Sequence, residues 1–114
     1  MNIVNNLRFI TQHPLTQNAQ IAALTRWLKW QVGSRLVSGP VVIPFVSDTQ
    51  LIVQPGMTGA TGNVYCGLHE FEDMALLLHA LRPDDLFVDI GANVGSYTVL
   101  GGGAVGACCI SIEP

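Results

Sequence analysis

The chain has 114 residues, of which 49% are apolar and 11% charged, and a formal net charge of −3. That length supports one small domain rather than two, and the apolar content excludes a disordered chain. So small a domain buries only a modest fraction of its surface, and one explanation of this apolar excess is that part of the core's partner is missing.

The charge is uneven. Residues 1–56 carry Arg8, Arg26, Lys29 and Arg35 against one acid, Asp48; residues 57–114 carry seven acids against Arg82. A nucleic-acid binder would be more basic and more patterned. The basic segment reads as a solvated helix face, with an acidic lipid surface or partner as the alternative. Cys66, Cys108 and Cys109 lack metal-ligand spacing and read as small buried hydrophobes. Nothing in them calls for an oxidising compartment. The N-terminus lacks the apolar core and cleavage site of a signal peptide. No run of about 18 apolar residues predicts a membrane span. The expectation is a soluble, cytoplasmic protein without a metal.

The first predicted element is a helix over Thr16–Val32. Ile21, Leu24, Leu28 and Val32 recur at helical spacing; Thr16 or Asn18 can cap it and Gly33 can end it. Trp27 and Trp30 read as packing residues, with a lipid or partner anchor as the sharper alternative. Ser38–Gly39–Pro40 breaks the chain. Val41–Val46 and Leu51–Gln54 then read as a hairpin about Ser47–Asp48–Thr49, with Pro44 confining the first strand to an edge. A turn at Pro55–Gly56 and Gly59 precedes a third short strand at Val64–Cys66. His69–Leu81 reads as a second helix, its first turn rich in acids that suit the helix dipole.

Leu86–Ile90 is a nearly continuous apolar run, as expected of a strand buried on both faces of a parallel sheet. A turn over Gly91–Gly95, a helix over Gly95–Ala104 weakened by Gly101, Gly102 and Gly103, and a buried strand over Ala107–Ile112 follow. Such a β–α–β unit places its two strands side by side and parallel. Three segments result: a helical 1–37, a hairpin-and-helix 38–82, and an incomplete β–α–β unit 83–114.

The chemistry sits in that last segment. Asp89 lies near the end of the first strand, and Gly91 and Gly95 lie in the turn beyond it. Ligands of open α/β sheets bind at this end of the strands. A phosphate loop is excluded because no Gly-Lys-Ser/Thr follows. A dinucleotide loop needs G-x-G-x-x-G, and Asn93 and Ser96 occupy its second and third glycine positions. The pattern D-x-G-x-x-x-G instead resembles motif I of the class I methyltransferases that use S-adenosylmethionine. Asp89 can meet the ammonium of that cofactor's methionine, and the Gly91–Gly95 backbone can line methionine and ribose. Glu113, 24 positions beyond Asp89, ends the second strand. That is close to the roughly 20-residue gap of a ribose-binding acid. The bland alternative makes Asp89 a loop cap and Glu113 a solvated terminal residue.

On these residues the chain resembles the FkbM family of methyltransferases. Phe87–Thr98 follows the family's first motif, and Ile112–Glu113–Pro114 its second. Gly67–Glu72 and Arg82–Leu86 resemble the segment leading into the first, so the likeness spans roughly residues 38–114. It implies an α/β fold: the N-terminal part of a Rossmann-like class I methyltransferase sheet, preceded by a helix and a short β-hairpin. It implies S-adenosylmethionine as cofactor, held by Asp89, Gly91, Asn93, Gly95 and Glu113; Glu70 or Glu72 could approach the methionine end, but satisfying the dipole at the helix start is the more expected role of both. It implies O-methyl transfer to a sugar or small hydroxylated metabolite. The family's helix after motif I is alanine-rich, whereas this one is glycine-rich. About five further strands, the adenine contact, the acceptor pocket and any general base would lie beyond Pro114. The expectation is therefore a fragment inactive alone, prone to self-association or to pairing with a complementing downstream fragment. The alternative is a non-catalytic nucleotide-binding or interaction remnant. No catalytic residue is assigned.

Overall fold

A computed structural model describes residues 2–114, without the side chains of residues 58 and 59. Helix α1, Ile3–Gln12, begins where the Asn2 side chain accepts the Asn5 amide at 2.8 Å, satisfying one otherwise orphaned N–H. This helix is absent from the sequence reading; its signal was Asn2 ahead of Leu7 and Ile10. His13 and Thr16, both buried, then tie the turn together: Thr16 donates to the Ile10 carbonyl, and His13 Nε2 meets the Leu68 carbonyl.

Helix α2, Gln20–Leu36, starts later and ends later than the spacing predicts, with Gly33 inside it and Thr16 before it. Its buried face is also different. Ala23, Leu24, Trp27 and Trp30 pack inward around Ile10, Tyr65 and Cys66. Ile21, Leu28 and Val32 face outward, Ile21 being 83% exposed. Ala23, Trp27 and Trp30 are themselves spaced three or four residues apart, so the helix has a second face at helical spacing, and that face is the packed one. The packing role expected of the tryptophans is what the fold shows.

Strands β1, Val41–Pro44, and β2, Gln50–Val53, form the expected antiparallel hairpin, with Val41 opposite Val53 and Pro44 opposite Gln50. With two strands both are edges, so Pro44 costs no interior hydrogen bond. The third predicted strand is a correction. Val64–Cys66 is the last turn of helix α3, Thr58–Cys66, and Gly59 lies in that helix rather than in a turn. Burial of Ala60, Tyr65 and Cys66 outweighs the poor helix propensity of its glycines and threonines. Gly67, at φ 88°, ends it.

Helix α4 is Phe71–Ala80, with Glu72 and Asp73 in its first turn. Strands β3, Leu86–Ile90, and β4, Cys108–Ile112, pair in parallel with Phe87 opposite Cys109 and Asp89 opposite Ser111. Between them a short helix α5, Ser96–Thr98, runs into a π-helical segment, Val99–Val105. The parallel pairing agrees with the sequence. Burial on both faces does not. Phe87 and Cys109 face the π-helical segment, whose Gly101 lies against both. On the other face Leu86, Val88, Ile90, Ile110 and Ile112 are exposed, because none of the described elements covers them. Cys108 is likewise exposed rather than buried, while Cys66 is buried; all three thiols are free.

The whole is a mixed α/β domain with two small sheets. Its core is three linked apolar clusters: around Ile10 and Tyr65, around Leu51 and Val53, and around Met74 and Leu100. No described helix is long and apolar enough to cross a membrane.

Candidate functional site

The loop after β3 is shaped by three residues with positive φ: Gly91 at 72°, Asn93 at 52° and Gly95 at 83°. Asparagine is among the few non-glycine residues that enter this region readily. A Cβ added at Gly91 or Gly95 would meet no atom within 4 Å. Backbone conformation, not crowding, therefore requires glycine here. Close helix–strand packing is not the role of Gly95. It falls instead to Gly101, where an added Cβ would come within 3.0 Å of Phe87 and 3.4 Å of Cys109.

The loop is stitched to the end of β4. The amides of Gly91 and Ala92 donate to the Ile112 carbonyl at 2.8 and 3.1 Å, and the Asn93 amide donates to Glu113 Oε2 at 2.6 Å. Ala92's carbonyl accepts the Gly95 amide at 2.8 Å, closing the turn. Glu113 is exposed at the strand end and engaged with this loop by a charge-assisted bond.

Asp89 points the other way, toward the helices. Its Oδ2 accepts from the Thr98 hydroxyl at 2.6 Å, and Thr98 is within 2.6 Å of the Ser111 hydroxyl. Glu70, just before α4, accepts from the Tyr97 hydroxyl at 2.6 Å. Burial first, then the Glu70 carboxylate, raises the Tyr97 pKa far above its ordinary value, so this phenol stays a neutral donor. Both carboxylates are thus met by neutral hydroxyls, and neither forms an ion pair among the described residues.

Beneath the loop, Asn63 organises the floor. Its Nδ2 donates to Ser96 Oγ at 3.1 Å and its Oδ1 accepts the His69 amide at 2.7 Å. These elements enclose a cavity of about 270 Å³ lined by Asp89, Glu70, His69, Asn63 and the loop from Gly91 to Tyr97. Asp89, Gly91 and Asn93 line it directly; Gly95 and Glu113 are not among its walls, and Glu113 reaches it only through Asn93. Among the described residues no cluster of three or more metal-ligating side chains occurs.

The sequence singled out Asp89, Gly91, Asn93, Gly95 and Glu113, and the loop connects all five. It missed Asn63, Tyr97 and Thr98. Tyr97 and Thr98 follow the glycine turn immediately, which was a usable signal; Asn63 sits 26 positions before Asp89 and gave none. No family model matches this chain, and no curated protein or solved structure matches it.

Proposed function

We propose that the β3–β4 unit is the opening part of a Rossmann-like methyltransferase sheet, and that the cavity beneath the Gly91–Gly95 loop receives the methionine end of S-adenosylmethionine. The observation that carries this reading is a pair of carboxylates without a cation, Asp89 and Glu70, in a cavity at the C-terminal end of a parallel strand. An ammonium or sulfonium is the natural counterpart of such a donor set. The size favours one end of the cofactor rather than all of it.

In this reading Asp89, held by Thr98, meets the ammonium directly or through water. The Tyr97 hydroxyl keeps Glu70 turned into the same space. Glu113 accepts a loop amide with one oxygen and has no partner for the other among the described residues; that oxygen is free to accept from ribose hydroxyls outside the loop. S-adenosylmethionine supplies an electrophilic methyl group. The protein's part is to bind, orient and exclude water, and holding a hydroxyl acceptor about 3 Å from the methyl carbon accounts for much of the rate. The acceptor class remains a sugar or small hydroxylated metabolite.

A second reading, a non-catalytic interaction module, is favoured by the uncovered apolar face of the β3–β4 sheet. Calorimetric titration with S-adenosylmethionine and S-adenosylhomocysteine separates the two. Saturable binding is expected, weakened about tenfold or more, roughly 1.4 kcal/mol, by Asp89→Asn and again by Glu113→Gln. Absence of binding by a folded wild-type chain, or unchanged affinity in both variants, removes the cofactor reading.

A further inference from the structure

A second cavity, of about 230 Å³, opens between α1, α2, α3 and the turn after β2. It shares His69 with the carboxylate-lined cavity, but its character is reversed. No acid lines it. Its one charged group is Arg35, in the last turn of α2, whose guanidinium has no hydrogen bond or ion pair among the described residues.

Its walls combine flat apolar faces with neutral hydrogen-bonding groups. Trp30 and Phe9 supply the rings; Phe9 is itself fixed between His13 and His69, at centroid distances of 5.4 and 5.1 Å. Gln31 and Tyr65 supply the polar groups, joined by a 3.2 Å bond from Gln31 Nε2 to the Tyr65 hydroxyl. Tyr65 is buried and its pKa is raised, chiefly by burial, so it remains a neutral hydroxyl. The Arg26 guanidinium donates twice to the Tyr65 carbonyl, at 3.1 and 2.9 Å, and so locks α2 to α3 behind it. The site is held by packed helices rather than by loops alone.

We infer that this cavity binds a small hydroxylated carboxylate, of the size and chemistry of a sugar acid. Volume sets the scale: drug-sized ligands occupy pockets of roughly 300–1,000 Å³, and this one is smaller. Charge sets the sign, because an unpaired arginine is a fork for a carboxylate and nothing acidic opposes it. The ring faces beside an amide and a phenol suit a ligand with one apolar face and a hydroxylated rim. The inference stands on this cavity alone and does not require the methyl-transfer reading.

The test uses the whole chain carrying Trp27→Phe, so that Trp30 is the remaining indole and reports from the cavity wall. Titration with D-glucuronate should change its fluorescence saturably. Neutral D-glucose and acetate should each bind at least tenfold more weakly, since each lacks one half of the recognition. Arg35→Gln, a surface change that leaves the fold intact by circular dichroism, should lose at least tenfold in glucuronate affinity, and Tyr65→Phe several-fold. Four results would overturn the inference: no saturation by glucuronate in the tens of millimolar, equal response to acetate, equal response to glucose, or an Arg35→Gln variant that binds as before. Loss of S-adenosylmethionine binding by Asp89→Asn without loss of glucuronate binding would show the two sites to be separate.

Discussion

His69 lines two cavities of opposite character. Its Nδ1 is buried without a hydrogen-bond partner, and an added Cβ on Gly62 would fall 1.9 Å from it. Burial holds the His69 pKa below its ordinary 6.5, the nearby Glu70 charge working against that shift and His13 adding to it. In the unfolded chain the ring takes its proton near pH 6.5, whereas in the folded chain it resists until lower pH. Its contribution to stability is therefore present above pH 6.5 and is lost as pH falls below that value toward the folded pKa. Thermal melts between pH 7.5 and 5 should show a falling midpoint, and His69→Gln should flatten part of that slope. Parallel curves for variant and wild type would show that burial of this imidazole is not linked to folding.

At the scale of elements, the glycine run 101–103 shows a propensity defect with a packing cause. A helix of glycines is locally poor, each costing up to about 1 kcal/mol against alanine. Here the absence of side chains lets the π-helical segment lie on the sheet: Cβ atoms at Gly101 and Gly102 would press on Phe87, Leu81 and Cys109, and one at Gly103 would come within 2.7 Å of Thr49. Gly33, inside α2, has open space where its Cβ would be. The two alanine substitutions share a backbone gain and should differ in sign. Gly33→Ala should stabilise by about 0.5–1 kcal/mol. Gly101→Ala should destabilise by about 1–2 kcal/mol, since overpacking costs roughly 1–3 kcal/mol. Urea unfolding of both variants reads the signs directly; a stabilised Gly101→Ala would mean the segment has room to move off the sheet.

The same contrast explains what the sequence could reveal. Strands β3 and β4, the turn between Gly91 and Gly95 and helix α4 were legible as elements from their local pattern, although one face of the β3–β4 pair is open where the apolar runs predicted burial. The hairpin about Ser47 was legible from turn chemistry, and Ser47 does adopt φ 55°. Helix α3 was not, since Thr58–Cys66 has strand-like and turn-like residues and becomes helical through what Tyr65 and Cys66 bury. The packed face of α2 was misread because two faces fit helical spacing, Ile21, Leu28 and Val32 on one and Ala23, Trp27 and Trp30 on the other, and only tertiary contact selects between them. Within the site, residues on the motif were visible. Their partners were not: Asn63 reaches Ser96 across 33 positions and Glu70 reaches Tyr97 across 27, and no local pattern encodes such pairings.

At the scale of the whole molecule, the dominant feature is apolar surface left in water. The open face of the β3–β4 sheet displays Leu86, Val88, Ile90, Ile110 and Ile112, with Ile90 78% exposed, while α2 displays Ile21, Leu28, Val32 and Leu36. A parallel sheet is ordinarily covered on both faces. Each buried side chain of this kind is worth roughly 1.5–3 kcal/mol when removed from water, so even partial coverage of five outweighs the few charges nearby. Both outer edges of the β3–β4 pair also offer unpaired backbone groups to another strand. The 114-residue chain should therefore self-associate as concentration rises. Sedimentation velocity from about 1 to 100 μM should show growth in mass, and the double variant Val88→Lys with Ile110→Lys should abolish most of it while retaining the wild-type circular dichroism. The residues share a face and a register position, Val88 opposite Ile110, so two lysines there would repel any apolar partner and each other. A wild-type chain that stays monomeric across that range would mean the exposed face is tolerated in water.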